Sequence, residues 1–149
     1  MSDPSGSGNL LLMTSRPRAI LDTNVFVGAG FNPRSASSEL VKAALAGQIQ
    51  LVWDAPTRDE TRRILTKIPK LSWSAVSDAF SADTEWTGST NLDAVSYVGD
   101  PEDRKFAALS LATGAPLVSS DSDLLDHADR LEVMTPGAFH ATLKAIQTP

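Results

Sequence analysis

Beyond residue 16, short apolar runs alternate with longer stretches in which apolar side chains recur every three or four residues. Apolar runs bounded by turn formers predict buried strands, here residues 18–22, 50–53, 94–98, 116–119 and 131–134. Between them lie helical patterns. Residues 38–46 carry Leu40, Val41, Ala44 and Leu45 on one face, and Gly47 is placed to stop them. Residues 57–67 read as a helix ended by Pro69, and residues 72–83 as another with Trp73, Val76 and Phe80 at helical spacing. Pro101 opens a helix to about residue 113, with Phe106, Leu109 and Leu111 apolar and Gly114 as its stop; Pro136 opens a last one carrying Phe139, Leu143 and Ile146. The alternation predicts an α/β fold: a central, mainly parallel sheet of about five strands with helices on both faces and right-handed crossovers.

The chain has 149 residues, the size of one domain. Residues 1–16 are rich in Ser, Gly and Pro and read as a flexible leader, leaving 17–149 as the folded unit. The early apolar run Leu10 to Met13 is too short to span a membrane and no basic residue precedes it, so a cytoplasmic protein is expected. A net charge of −5 and a pI near 4.9 argue against gripping nucleic acid by bulk charge. Contact with such a partner must use local basic patches and divalent cations. Cysteine is absent and His127 and His140 are the only imidazoles, which excludes thiolate chemistry and disfavours His-based sites. Carboxylate chemistry is what remains.

Four acids fall where strands end or helices begin: Asp22, Glu60, Asp103 and Asp121, with Asp100 and Asp123 close by. Each has a structural explanation. Thr57-Arg58-Asp59-Glu60 matches a capping box, Asp100 before Pro101 suits a helix N-cap, and Ser120-Asp121-Ser122-Asp123 suits a capped turn. Taken together they point elsewhere. In a parallel sheet the strand ends and the following helix starts share one edge, where ligands bind. Carboxylates gathered there repel one another without a counterion. Hard cations such as Mg²⁺ or Mn²⁺ take all-oxygen ligands of this kind and support phosphodiester hydrolysis.

Four segments, in this order and spacing, resemble the PIN-domain ribonucleases, many of them toxins of toxin–antitoxin pairs. They are Ile20-Leu21-Asp22-Thr23-Asn24-Val25-Phe26, the Glu60 helix, Gly99-Asp100-Pro101-Glu102-Asp103-Arg104-Lys105-Phe106-Ala107-Ala108-Leu109, and Leu117-Val118-Ser119-Ser120-Asp121-Ser122-Asp123-Leu124-Leu125. The resemblance implies a Mg²⁺- or Mn²⁺-dependent endoribonuclease acting on single-stranded RNA. Asp22, Glu60, Asp103 and Asp121 would be its catalytic metal ligands, Asn24 and Ser119 groups supporting them, and Asp123 a nearby acid. It also implies a cognate antitoxin that occludes the cleft, and self-association as a homodimer. Ser119 stands where the family commonly has threonine, keeping the hydroxyl, and Asp54 where many relatives have serine.

Among basic residues, Arg58, Arg62 and Lys67 share the Glu60 helix with Arg63, and Arg104 and Lys105 follow Asp103; of these Arg58, Arg62, Arg104 and Lys105 are the candidates for RNA phosphates, a solvated helix face being the alternative. Phe31 and Trp86 read as packing residues, stacking on RNA bases being the alternative. Two other functions remain open on the sequence. One is a non-catalytic PIN-type RNA- or protein-binding module. The other is a phosphatase of the haloacid dehalogenase type, which requires a second aspartate where this chain has Asn24.

Overall fold

The computed structural model describes residues 16–147. The expected leader at 1–16 therefore lies outside the described residues except for Arg16, whose Nη1 donates to the Gly47 carbonyl at 3.0 Å. Four strands, β1 (Arg18–Leu21), β2 (Gln50–Leu51), β3 (Leu117–Val118) and β4 (Val133–Met134), form a parallel sheet in the order β2-β1-β3-β4. Six α-helices accompany them: α1 (Thr23–Phe31), α2 (Ala36–Leu45), α3 (Ala55–Lys67), α4 (Pro101–Thr113), α5 (Ser122–Leu125) and α6 (Pro136–Gln147). None among the described residues is long and apolar enough to cross a membrane.

Successive strand residues face opposite sides of a sheet, and this alternation builds two cores. Ala19, Leu21, Leu51 and Val118 pack with Val25 and Phe26 of α1, Leu40 and Val41 of α2, Leu65 of α3 and Phe139 of α6. Ile20, Val52, Leu117 and Val133 pack on the other side with Phe106 and Leu109 of α4 and Leu124 of α5. Helices thus cover both faces, as parallel sheets require. Gly114 ends α4 with φ +74°, a left-handed turn that closes its N–H onto the Ser110 carbonyl.

Two expected elements take other forms. Residues 94–98, expected as a strand, hold a 3-10 turn at Leu92–Val95, so the sheet has four strands rather than about five. The Asn91 side chain accepts from the Asp93 amide and starts the turn, and Val95 and Val98 are buried at helical rather than alternate spacing. The helix expected at 72–83 is two 3-10 turns, Ser77–Ala79 and Ala82–Thr84. Serines intervene: the Ser81 hydroxyl accepts from the Asp83 amide, offering the backbone an alternative to the helix. Trp73 and Phe80 still pack together, with ring centroids 5.1 Å apart. Helix α1 was not foreseen, because its apolar residues run together in Val25, Phe26 and Val27 rather than alternating with polar ones.

Helix α3 also starts earlier than expected. Its N-cap is Asp54, whose carboxylate accepts from the Thr57 amide at 3.1 Å while the Thr57 hydroxyl receives the Asp54 amide at 3.1 Å. That capping box replaces the one expected between Thr57 and Glu60 and leaves the Glu60 side chain for other partners. Asp54→Ala should lower stability by about 1–2 kcal/mol, measured by urea unfolding, and Glu60→Ala by much less. The reverse order would put the cap back at Thr57.

Candidate metal centre

The sheet's middle strands deliver the acids. Strand β1 ends at Leu21 and Asp22 follows, becoming the N-cap residue of α1 without making a side-chain capping bond. Its carboxylate turns to β3 instead, where the Ser119 hydroxyl donates to Asp22 Oδ2 at 2.7 Å in a buried contact. The same Ser119 oxygen accepts the Asp121 amide at 3.0 Å, so one hydroxyl fixes both the first aspartate and the loop carrying the third. Asp103 comes from the first turn of α4, where Asp100 caps the helix by accepting from the Glu102 amide at 3.0 Å. Asp22, Asp103 and Asp121 each place a carboxylate oxygen within 4.8 Å of the others; Asp100, Asp103 and Asp123 form a second such group.

Burial makes this arrangement costly. Asp22 is 3% exposed and Asp103 9%. Burial raises the Asp22 pKa from 3.8 to about 6, partly offset by hydrogen bonds from Ser119 and Thr23 and reinforced by the charges of Asp121 and Glu60. Asp103 is pushed up to about 8, first by burial, then by its contact with Asp121 and the charges of Asp22, Asp121 and Asp100. Its Oδ2 is buried without a hydrogen-bond partner. No Lys, Arg or His among the described residues pairs with Asp22, Asp103 or Asp121. A buried, unpartnered carboxylate oxygen among other carboxylates, with only oxygen donors around it, fits a hard divalent cation.

Glu60 stands apart from the three aspartates. Its Oε1 accepts from Arg63 at 2.7 Å and from Lys105 at 3.3 Å, yet its charge is near enough to act on Asp22. Asn24 receives the Ser120 amide and hydroxyl at 3.4 and 3.3 Å, steadying the Ser119–Asp121 loop from β1's side. Asp123 gives its amide to Asp121 Oδ1 at 2.9 Å.

The expected basic residues scatter. Arg58 lies over the Trp53 ring and pairs with Asp59, Arg104 donates to the Val98 carbonyl, and Arg62 is exposed. Only Lys105 reaches the acids' neighbourhood, through Glu60. Trp86 packs against the second core, as expected, whereas Phe31 is 55% exposed and is not a packing residue.

One buried contact has no counterpart in the sequence reading. Thr23 and Thr61 share a buried hydroxyl–hydroxyl bond of 2.9 Å that ties α3 to the residue after Asp22. Thr57, Thr61 and Leu65 recur at four-residue spacing and are all buried, a stripe in which the threonines were the available signal. Arg63, one residue beyond Arg62 on the same helix, is the arginine that reaches Glu60.

The raised pKa values give a pH dependence. In the metal-free protein, folded Asp22 and Asp103 retain protons that the unfolded chain releases near pH 4. The associated stability is complete below that pH and is lost as pH rises through about 6 and then about 8. Thermal melts in EDTA should lose roughly 1–3 kcal/mol between pH 5 and 8.5, and Asp103→Asn should flatten the upper part. Stability that is flat or rising across the window would contradict the burial argument.

Comparison with known proteins bears on this geometry. The sequence matches the family model of the PIN domain over residues 18–123. No curated protein sequence matches. The fold is similar to the crystal structure of PAE2754 from Pyrobaculum aerophilum, with TM-score 0.53 and 16% identity over 87% of this chain and 98% of that one. The family match spans every acid discussed above, and by it the chain belongs to the PIN-domain family.

Proposed function

We propose that this protein is a divalent-metal-dependent ribonuclease that hydrolyses phosphodiester bonds of single-stranded RNA. The observation that carries the reading is the convergence of Asp22, Asp103 and Asp121 within 4.8 Å on a PIN-domain chain, with no Lys, Arg or His among the described residues paired to them. Asp22, Asp103 and Asp121 would hold Mg²⁺ or Mn²⁺, with Glu60 beside them. The bound ion would supply an activated water and charge stabilisation for attack at phosphorus. Ser119 keeps the Asp22 carboxylate in position, and Asn24 holds the loop that carries Asp121. The site lies past the carboxyl ends of the sheet's two middle strands, β1 and β3, the place where open parallel sheets bind ligands. Cleavage by water at phosphorus is expected to leave 5′-phosphate and 3′-hydroxyl ends. The toxin role extends this reading: a cytoplasmic nuclease, self-associating, silenced by a small antitoxin that occludes the cleft. Its support is the sequence resemblance, and its test is whether the adjacent reading frame encodes such a partner and whether that partner blocks cleavage.

Two outcomes are expected. Millimolar Mn²⁺ should stabilise the wild-type protein by about 2–3 kcal/mol at a hundredfold excess over its Kd, an effect largely lost in Asp22→Asn. Identical melts with and without Mn²⁺ would count against a site.

In single-turnover assays, labelled RNA should be cut only with divalent metal. Asp22→Asn and Asp103→Asn should each slow cleavage by roughly a hundredfold or more, and Ser119→Ala by about 10–100-fold. Turnover of a phosphomonoester with RNA untouched would favour a phosphatase, and RNA binding without cleavage a non-catalytic module.

A further inference from the structure

A chain of net charge −5 with a cluster of carboxylates at its site must still admit a polyanion. Two cations on the helices that carry Glu60 and Asp103 are neither dispersed nor free. Arg63 Nη2 and Lys105 Nζ converge on a single atom, Oε1 of Glu60, at 2.7 and 3.3 Å. Two cations meeting on one oxygen are close enough for one phosphate group to span them. Lys105 also donates to Glu102 Oε2 at 2.9 Å, a partner on its own helix that it keeps independently of Glu60. Helix α4 supplies Lys105 two residues after Asp103, and α3 supplies Arg63 one turn beyond Glu60. The pair is therefore attached to the same two elements that frame the acids. Glu60 itself is largely buried, with 11% of its side chain exposed, whereas Arg63 is 46% exposed and Lys105 24%. Solvent, and hence a ligand, reaches the cations more readily than the carboxylate they hold.

We propose that Arg63 and Lys105 form a phosphate-binding subsite beside the acid cluster, and that Glu60 occupies it in the absence of RNA. A backbone phosphate displaces the Glu60 carboxylate from the two cations, exchanging one oxyanion for another. The displaced carboxylate, whose charge already acts on Asp22, is released to join the aspartates. RNA binding and completion of the acid cluster are thereby coupled through one side chain. The inference rests on the nuclease reading for its ligand but makes a separate claim about binding.

The test is equilibrium binding of a short fluorescein-labelled single-stranded RNA in EDTA, by anisotropy across a salt series. Glu60→Gln, which removes the competing charge, should tighten binding about three- to tenfold over wild type. Arg63→Ala and Lys105→Ala should weaken it, each reducing the salt slope by about 0.7. The Glu60→Gln gain should vanish in the double variant with Arg63→Ala. Melting curves establish that each variant is folded, and should Glu60→Gln not fold, the slopes of the two cation variants decide alone.

Unchanged or weaker binding by folded Glu60→Gln, a wild-type slope in Arg63→Ala, or no binding by any variant at low salt would overturn the subsite. Metal-dependent cleavage is measured in parallel. Cleavage by wild type without the Glu60→Gln gain overturns the subsite alone, and the gain without cleavage overturns the nuclease reading alone.

Discussion

The structure turns on a buried carboxylate at the end of its central strand. Asp22 follows β1 at 3% exposure, in a position where an unpaired charge is disfavoured by burial. The chain compensates it only in part. The Ser119 hydroxyl and the Thr23 backbone reach it, and the charged groups beside it are more acids. Much of the site follows from this constraint: pKa values pushed upward, an orphaned oxygen on Asp103, and Ser119 tying β3 to β1 through a side chain as well as through the sheet. A metal ion would resolve the strain that hydrogen bonds leave.

The sheet's topology explains why the acids meet despite lying far apart in sequence. With β1 and β3 adjacent and parallel, the residues just past their ends must be neighbours, which places Asp22 beside Ser119 and Asp121. The N-terminus of α4, packed on the second face, brings Asp103 to the same edge. This much was legible in the sequence, because alternating strand and helix patterns imply that edge wherever the connections are parallel. The family match, over residues 18–123, spans all of these acids.

What the sequence hid was mostly local. The 94–98 run is apolar enough for a strand, but an asparagine ahead of it bonds to the backbone and turns it into a 3-10 segment. Serines break the helix expected at 72–83 in the same way. The two possible caps of α3, Asp54 and Thr57, stand three residues apart, and a sequence pattern cannot choose between them. That choice mattered for the site, since it decides whether Glu60 is spent on capping. The aspartates were legible by position; the fate of Glu60 was not, because its partners Arg63 and Lys105 come from two different helices. Surface cations on one helix look alike in sequence, and Arg62 and Arg63 differ only in which side of α3 they present.

Under the proposed function, Asp22, Asp103 and Asp121 would hold a divalent cation. The most direct measurement is anomalous diffraction from crystals soaked in Mn²⁺, with Asp103→Asn crystals as the control. A manganese peak among the three carboxylates in the wild type, lost in Asp103→Asn, is the expected result. A wild-type map with no peak there, or with manganese bound elsewhere while RNA is still cleaved, would contradict it.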